Sequence, residues 1–180
     1  MMESACIFIA FSTFTVVWYL QGQNAGLSSV LGFGFLPVAI FDVLHTLYYL
    51  NLAHYPDPDH ELTAWFWISG RLAEAAVLIL PVLLTQKYIP NRWIALFITL
   101  SISFAIVYAV FVFKDQLPFL LYKSRPTLLK NILEYVVILG FLYCYLILKK
   151  KSGRREDIVD RHLLLALMIA IPGELCFTLY

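Results

Sequence analysis

Long stretches without a single charge constrain this chain more than any other feature. Trp93–Phe113 contains no Asp, Glu, Lys or Arg, and comparably apolar runs recur along the sequence with short polar segments between them. A bilayer core of about 30 Å is crossed by roughly 20 apolar residues at about 1.5 Å per residue, and unsatisfied backbone groups in lipid restrict the crossing element to a helix or a closed barrel. Barrel strands alternate polar and apolar residues, and these runs do not. The pattern predicts helices over about 5–20, 28–50, 62–84, 93–113, 128–148 and 163–180, an all-α, polytopic transmembrane bundle of six helices forming one domain over 1–180. Composition agrees: 61% of residues are apolar and 14% charged, against roughly 45–50% and about 25% in soluble domains. A disordered tail, a nucleic-acid binder and almost any soluble enzyme are thereby excluded, and the lipid bilayer becomes the first partner.

Orientation follows from basic residues in short loops. Lys149, Lys150, Lys151, Arg154, Arg155 and Arg161 cluster in one loop and Lys87 and Arg92 in another, whereas Asn51–Glu61 carries Asp57, Asp59 and Glu61 and no Lys or Arg. Loops 85–92 and 149–162 are expected in the cytoplasm and 51–61 outside. The fourth loop, counted with Lys114, Lys123, Arg125 and Lys130, votes the other way and is outnumbered. The first apolar run lacks a basic leader and a clean small-residue cleavage site, so it reads as a retained helix. Cys6, Cys144 and Cys176 lie in separate runs without CxxC spacing and read as small packing residues.

Ionisable groups at membrane depth cost roughly 2.5–3.5 kcal/mol on insertion scales and face bundle interiors where partners exist. Six qualify here: Asp42 and His45, Arg71 and Glu74, Glu134, and Glu174. The first four form two pairs at three-residue spacing, so each pair shares a helix face. With the orientation above and about 1.5 Å per residue, all six fall in the middle to outer part of the bilayer. A shared polar cavity opening outward is the expectation, with Tyr48, Trp67, Tyr135 and Phe177 as walls and a backbone kink at Pro172-Gly173 beside Glu174. Two readings follow: the acids and Arg71 hold helices in register, or they bind a small ligand, a proton or a metal. Four acids exceed what Arg71 neutralises, which favours the second. His45, Glu74, Glu134 and Glu174 would suit a divalent metal such as zinc, iron or manganese. One deep histidine argues against haem.

Other signals are weaker. The outer run His54–Glu61 concentrates two imidazoles and three carboxylates, which reads as a solvated Pro-rich turn ahead of a metal trap or lid. Gly32-Phe33-Gly34 lacks the third glycine of a dinucleotide fingerprint and reads as a close helix contact. No GxSxG, HExxH or Walker sequence occurs.

These residues lie in motifs that resemble the membrane-associated sensor domains of the third type, found at the N-termini of bacterial sensor histidine kinases and diguanylate cyclases. The matching segments are Glu3-Ser4, Phe41-Asp42-Val43-Leu44-His45-Thr46-Leu47 and Trp67-Ile68-Ser69-Gly70-Arg71-Leu72-Ala73-Glu74. Leu129-Lys130-Asn131-Ile132-Leu133-Glu134-Tyr135 and Gly173-Glu174-Leu175-Cys176-Phe177-Thr178-Leu179-Tyr180 complete the set. Order and spacing agree over nearly the whole chain. The resemblance implies a non-enzymatic sensory input domain in a bacterial cytoplasmic membrane, open to homodimerisation, acting on a cytoplasmic signalling module in cis. It also implies that this chain stops before the family's last helix and that module. His45, Glu74, Glu134 and Glu174 are then expected to contact the ligand, with Asp42 and Arg71 behind them. The alternatives are an intramembrane metal-dependent enzyme and an ion- or proton-coupled transporter.

Overall fold

The computed structural model describes residues 2–20, 27–50, 60–83, 91–122, 125–152 and 158–179. Six helices dominate: α1 Met2–Leu20, α2 Leu27–Tyr49, α3 His60–Leu83, α4 Arg92–Val112, α5 Leu128–Ser152 and α6 Ile158–Leu179. Four of them, α2 to α5, are long and apolar enough to cross a membrane, and the apolar helix Ser4–Leu20 is shorter. α4 shows how local chemistry sets an end. Asn91 caps it by accepting the Trp93 N–H at 3.0 Å, which satisfies one of the donors a helix N-terminus leaves free.

Two loop expectations change. Of the segment 149–162, residues 149–152 complete α5 and 158–162 begin α6. Lys114–Thr127 contains a two-stranded antiparallel hairpin, β1 Leu121–Tyr122 with β2 Arg125–Pro126, in the register Leu121 to Pro126 and Tyr122 to Arg125. Leu120, fully buried, packs with Ala64 and Ile68 of α3. Both Glu61 oxygens accept backbone N–H groups, from Leu120 at 3.0 Å and Leu121 at 2.7 Å. Glu61, read from sequence as a loop carboxylate, thus latches the hairpin onto the first turn of α3. Most of the run His54–Glu61 lies outside the described residues.

α3 is the central helix. It packs along α2 on one side and α5 on the other, α1 covers α2, α6 covers α5, and α4 leans on α2 and α3. Half of the apolar window of α3 is buried against only 17% for α4, whose Phe97, Phe104 and Tyr108 face outward. Exposed apolar surface of this extent suits a lipid surrounding. One core cluster joins Phe41, Tyr48, Leu62, Phe66 and Val110 across α2, α3 and α4; another joins Ala75, Leu78, Val137, Phe141, Cys144, Leu148 and Leu167 across α3, α5 and α6.

Close packing in the absence of a hydrophobic drive between helices rests on small residues. A Cβ on Gly32 would collide with Val17 of α1, and one on Gly34 with Val77 of α3, so the two glycines let α2 approach both neighbours. The cysteines separate in role. Cys144 is buried, its thiol 3.3 Å from the Leu78 carbonyl, whereas Cys6 and Cys176 are exposed, because their helix faces point out of the bundle.

Candidate functional site

Arg71 is the node. Its side chain is 15% exposed and reaches three carboxylates on three helices: Glu74 of α3 at 2.6 Å, Asp42 of α2 at 3.3 Å and Glu174 of α6 at 3.4 Å. The planar guanidinium makes this division of labour available. Nη2 donates to both oxygens of Asp42, and Nη1 serves the two glutamates. Glu74 comes from the same helix at i+3, so its contact follows from helix geometry alone. Asp42 depends on a close α2–α3 approach at Gly70, where a Cβ would stand 3.1 Å from Asp42 Oδ1. Glu174 arrives from a helix about a hundred residues later; α6 runs through Pro172 without interruption, and Thr178 donates to the Glu174 carbonyl at 2.9 Å.

His45 joins the node through an aromatic intermediary. The Arg71 guanidinium lies 4.9 Å from the Trp67 ring centroid, and Trp67 lies 5.2 Å from the His45 ring. His45 Nδ1 sits 2.9 Å from the Thr63 carbonyl oxygen, which fixes that nitrogen as the protonated one. Tyr49 stacks on the imidazole with ring centroids 6.0 Å apart. The result is a continuous row of His45, Trp67 and Arg71 along the α2–α3 seam.

Glu134 is almost fully buried and takes a partner of its own. Lys130, one turn earlier on α5, donates to Glu134 Oε1 at 2.7 Å. The sequence places Lys130 among the loop charges, yet it belongs to the first turn of α5. The i, i+4 spacing to Glu134 was the signal available for it. Glu134 remains within electrostatic reach of Glu174.

The structure therefore brings Asp42, Arg71, Glu74 and Glu174 into direct contact, attaches His45 by way of Trp67, and places Glu134 beside Lys130. Among the described residues, Arg71 and Lys130 are the cations paired with these four acids. The expected metal set of His45, Glu74, Glu134 and Glu174 is not assembled: among the described residues no three His, Cys, Asp or Glu side chains are grouped to hold a metal. Glu74 and Glu174 are turned onto a guanidinium, and Glu134 onto an ammonium. The expected aromatic walls also divide. Trp67 touches the node, Tyr48 packs against Phe66 and Phe111, Tyr135 is exposed, and the Phe177 side chain lies outside those described.

Two cavities are found elsewhere. One of about 250 Å³ is lined by Phe11, Ile40, Val43, Leu44, Ser103, Phe104 and Val107, on the α1–α2–α4 side. Another of about 260 Å³ lies at the hairpin end, between Glu61, Leu62, Trp65, Lys114, Asp115 and Phe119. None of the six deep ionisable residues lines either one.

No curated protein and no solved structure matches this chain. A family model does, over residues 1–180, and by that match the chain belongs to MASE3, the membrane-associated sensor domains.

Proposed function

We propose that this sensor domain takes its stimulus at the Arg71 node, where a small ligand or a proton arriving from the outer side contacts His45, Glu74, Glu134 and Glu174, with Asp42 and Arg71 as their supports. The observation that carries this reading is one guanidinium shared by carboxylates of α2, α3 and α6. Buried charge pairs in low dielectric change strongly in strength when one charge is neutralised. A guest that neutralises or captures Glu174 or Asp42 would loosen one helix from α3 and leave the other held. That is a differential interaction with two helix arrangements, which any ligand-driven switch requires. The message would pass to a cytoplasmic kinase or cyclase module joined in cis, with the segments 85–92 and 149–162, helix ends included, on the cytoplasmic side of a bacterial inner membrane.

The test is the output of the domain joined to its signalling module. Glu174→Gln and Arg71→Gln, each shown to insert at the level of the parent protein, are expected to shift basal output or abolish its stimulus response. Unchanged output in both variants would leave the node a purely structural tie.

A further inference from the structure

Charge balance alone does not say what kind of guest the site accepts, but the buried polar atoms left over do. Glu74 Oε2, Glu134 Oε2, Glu174 Oε2 and Asn131 Oδ1 are sealed from solvent and have no hydrogen-bond partner among the described residues, although Glu74 Oε2 is held by its ion pair with Arg71 Nη1; the one comparable donor is Arg71 Nε. Buried acceptors without donors are costly and are normally matched by protein, water or ligand. Three of these acceptors have no ion-pair partner, against a single spare donor, and among the described residues the acids of the node exceed its cations.

The three acceptors lie on neighbouring helices. Asn131 and Glu134 share a face of α5 at three-residue spacing, α5 packs along α6, and Glu134 is within electrostatic reach of Glu174. Each glutamate commits its Oε1 to a cation, Lys130 for Glu134 and Arg71 for Glu174, and keeps its Oε2 free. Both residues are more than nine-tenths buried.

We infer that the α5–α6 side of the node is a site for a primary ammonium group, either the ammonium ion or the head of a small protonated amine. Such a group brings one positive charge and three or more N–H donors, the chemistry that unpartnered acceptors call for, and it offsets part of the acid excess. An anion is repelled by the same acids, and a neutral acceptor such as a carbonyl finds only Arg71 Nε. This inference rests on the sensory reading of the same node and names its ligand class.

The experiment is thermal unfolding of the full chain in lipid nanodiscs, titrated with ammonium chloride and, at equal ionic strength, with tetramethylammonium chloride or potassium chloride. Tetramethylammonium carries the charge without an N–H. A saturable rise in the unfolding midpoint with ammonium and none with the other two is expected. Glu134→Gln and Glu174→Gln should remove the rise, and Asn131→Ala should weaken apparent affinity about tenfold, the scale of one hydrogen bond to a charged group. Tyr108→Phe, on the outer face of α4, should keep it. Equal responses to all three salts would overturn the proposal, as would a full response in any one of the glutamine or alanine variants that folds. If Glu174→Gln alters signalling output while ammonium has no specific effect, the node is sensory and the ammonium assignment is wrong. If ammonium binds specifically and output never changes, the assignment stands and the sensory reading falls.

Discussion

Arg71 Nη1 on α3 and Glu174 Oε1 on α6 stand 3.4 Å apart, a side-chain contact between residues 103 positions distant in sequence. It is the longest-range link in the node, and the same Nη1 also meets Glu74 at 2.6 Å. Removing the cation should therefore be felt on three helices at once. Arg71→Ala is expected to lower stability by about 3–5 kcal/mol, the scale of a buried charge stripped of its partner. Arg71→Lys keeps the charge and loses the fork, and should fall between parent and alanine variant. Denaturation of the purified chain in mixed micelles ranks them.

The three acids should not be equivalent. Asp42 and Glu174 side chains are 9% and 7% exposed, whereas Glu74 is 20% exposed and comes from the same helix as its partner. In a double-mutant cycle with Arg71, coupling to Asp42 is expected to exceed coupling to Glu74 by about 1 kcal/mol, since desolvated pairs couple more strongly than partly wetted ones. Equal couplings would mean that water reaches Asp42 and Glu74 alike.

Gly70 sets the distance between the two central helices. An added Cβ would stand 3.1 Å from Asp42 Oδ1, so the Asp42 carboxylate must give by a few tenths of an ångström, and 3.5 Å from Phe41 Cβ, an ordinary contact. Gly70→Ala is expected to change stability by no more than about 1 kcal/mol, since the push on Asp42 is offset by the helix propensity of alanine, whereas Gly70→Val is expected to cost about 1–3 kcal/mol, as overpacking does. Against an Asp42→Ala background the cost of Gly70→Val should shrink, because the carboxylate nearest the added side chain is gone, which unfolding measurements on the single and double variants will show.

Glu61 should behave as a local latch. Its two bonds to Leu120 and Leu121 amides are charge-assisted, worth about 1.5–3 kcal/mol each at most, and they hold a short hairpin rather than the bundle. Glu61→Ala is expected to accelerate hydrogen exchange at the Leu120 and Leu121 amides while leaving the middle of α3 and α5 protected. Uniform acceleration would show instead that the hairpin stabilises the whole domain.

Lys130 should matter more than a surface lysine. Lys130→Met leaves the buried Glu134 without its 2.7 Å partner and is expected to destabilise by about 3–5 kcal/mol. Replacing both, Lys130→Met with Glu134→Leu, should restore most of the loss, because the desolvation penalty of the pair disappears with it. Thermal unfolding of the single and double variants measures the difference.

The sequence by itself determined the solvent, the helices and the cast of the site. Uncharged runs of bilayer length leave the backbone no alternative to helices, so all six were legible within a few residues at most ends, and deep charges stood out because lipid makes them expensive. Pairings within one helix were legible too, since 3.6 residues per turn fixes which neighbours share a face: Arg71 with Glu74 was read, and Lys130 with Glu134 could have been. What no single-helix pattern contains is which helices become neighbours and how they are rotated. That decided that Arg71 gathers Asp42 and Glu174, that His45 connects through Trp67, and that Glu134 is claimed by a lysine. It also decided that Glu61 pins a hairpin and that no metal-like group forms among the described residues. Association of helices in lipid rests on close packing at small residues such as Gly32, Gly34 and Gly70. The meeting of side chains from separate helices is settled by that packing, which only the assembled bundle possesses.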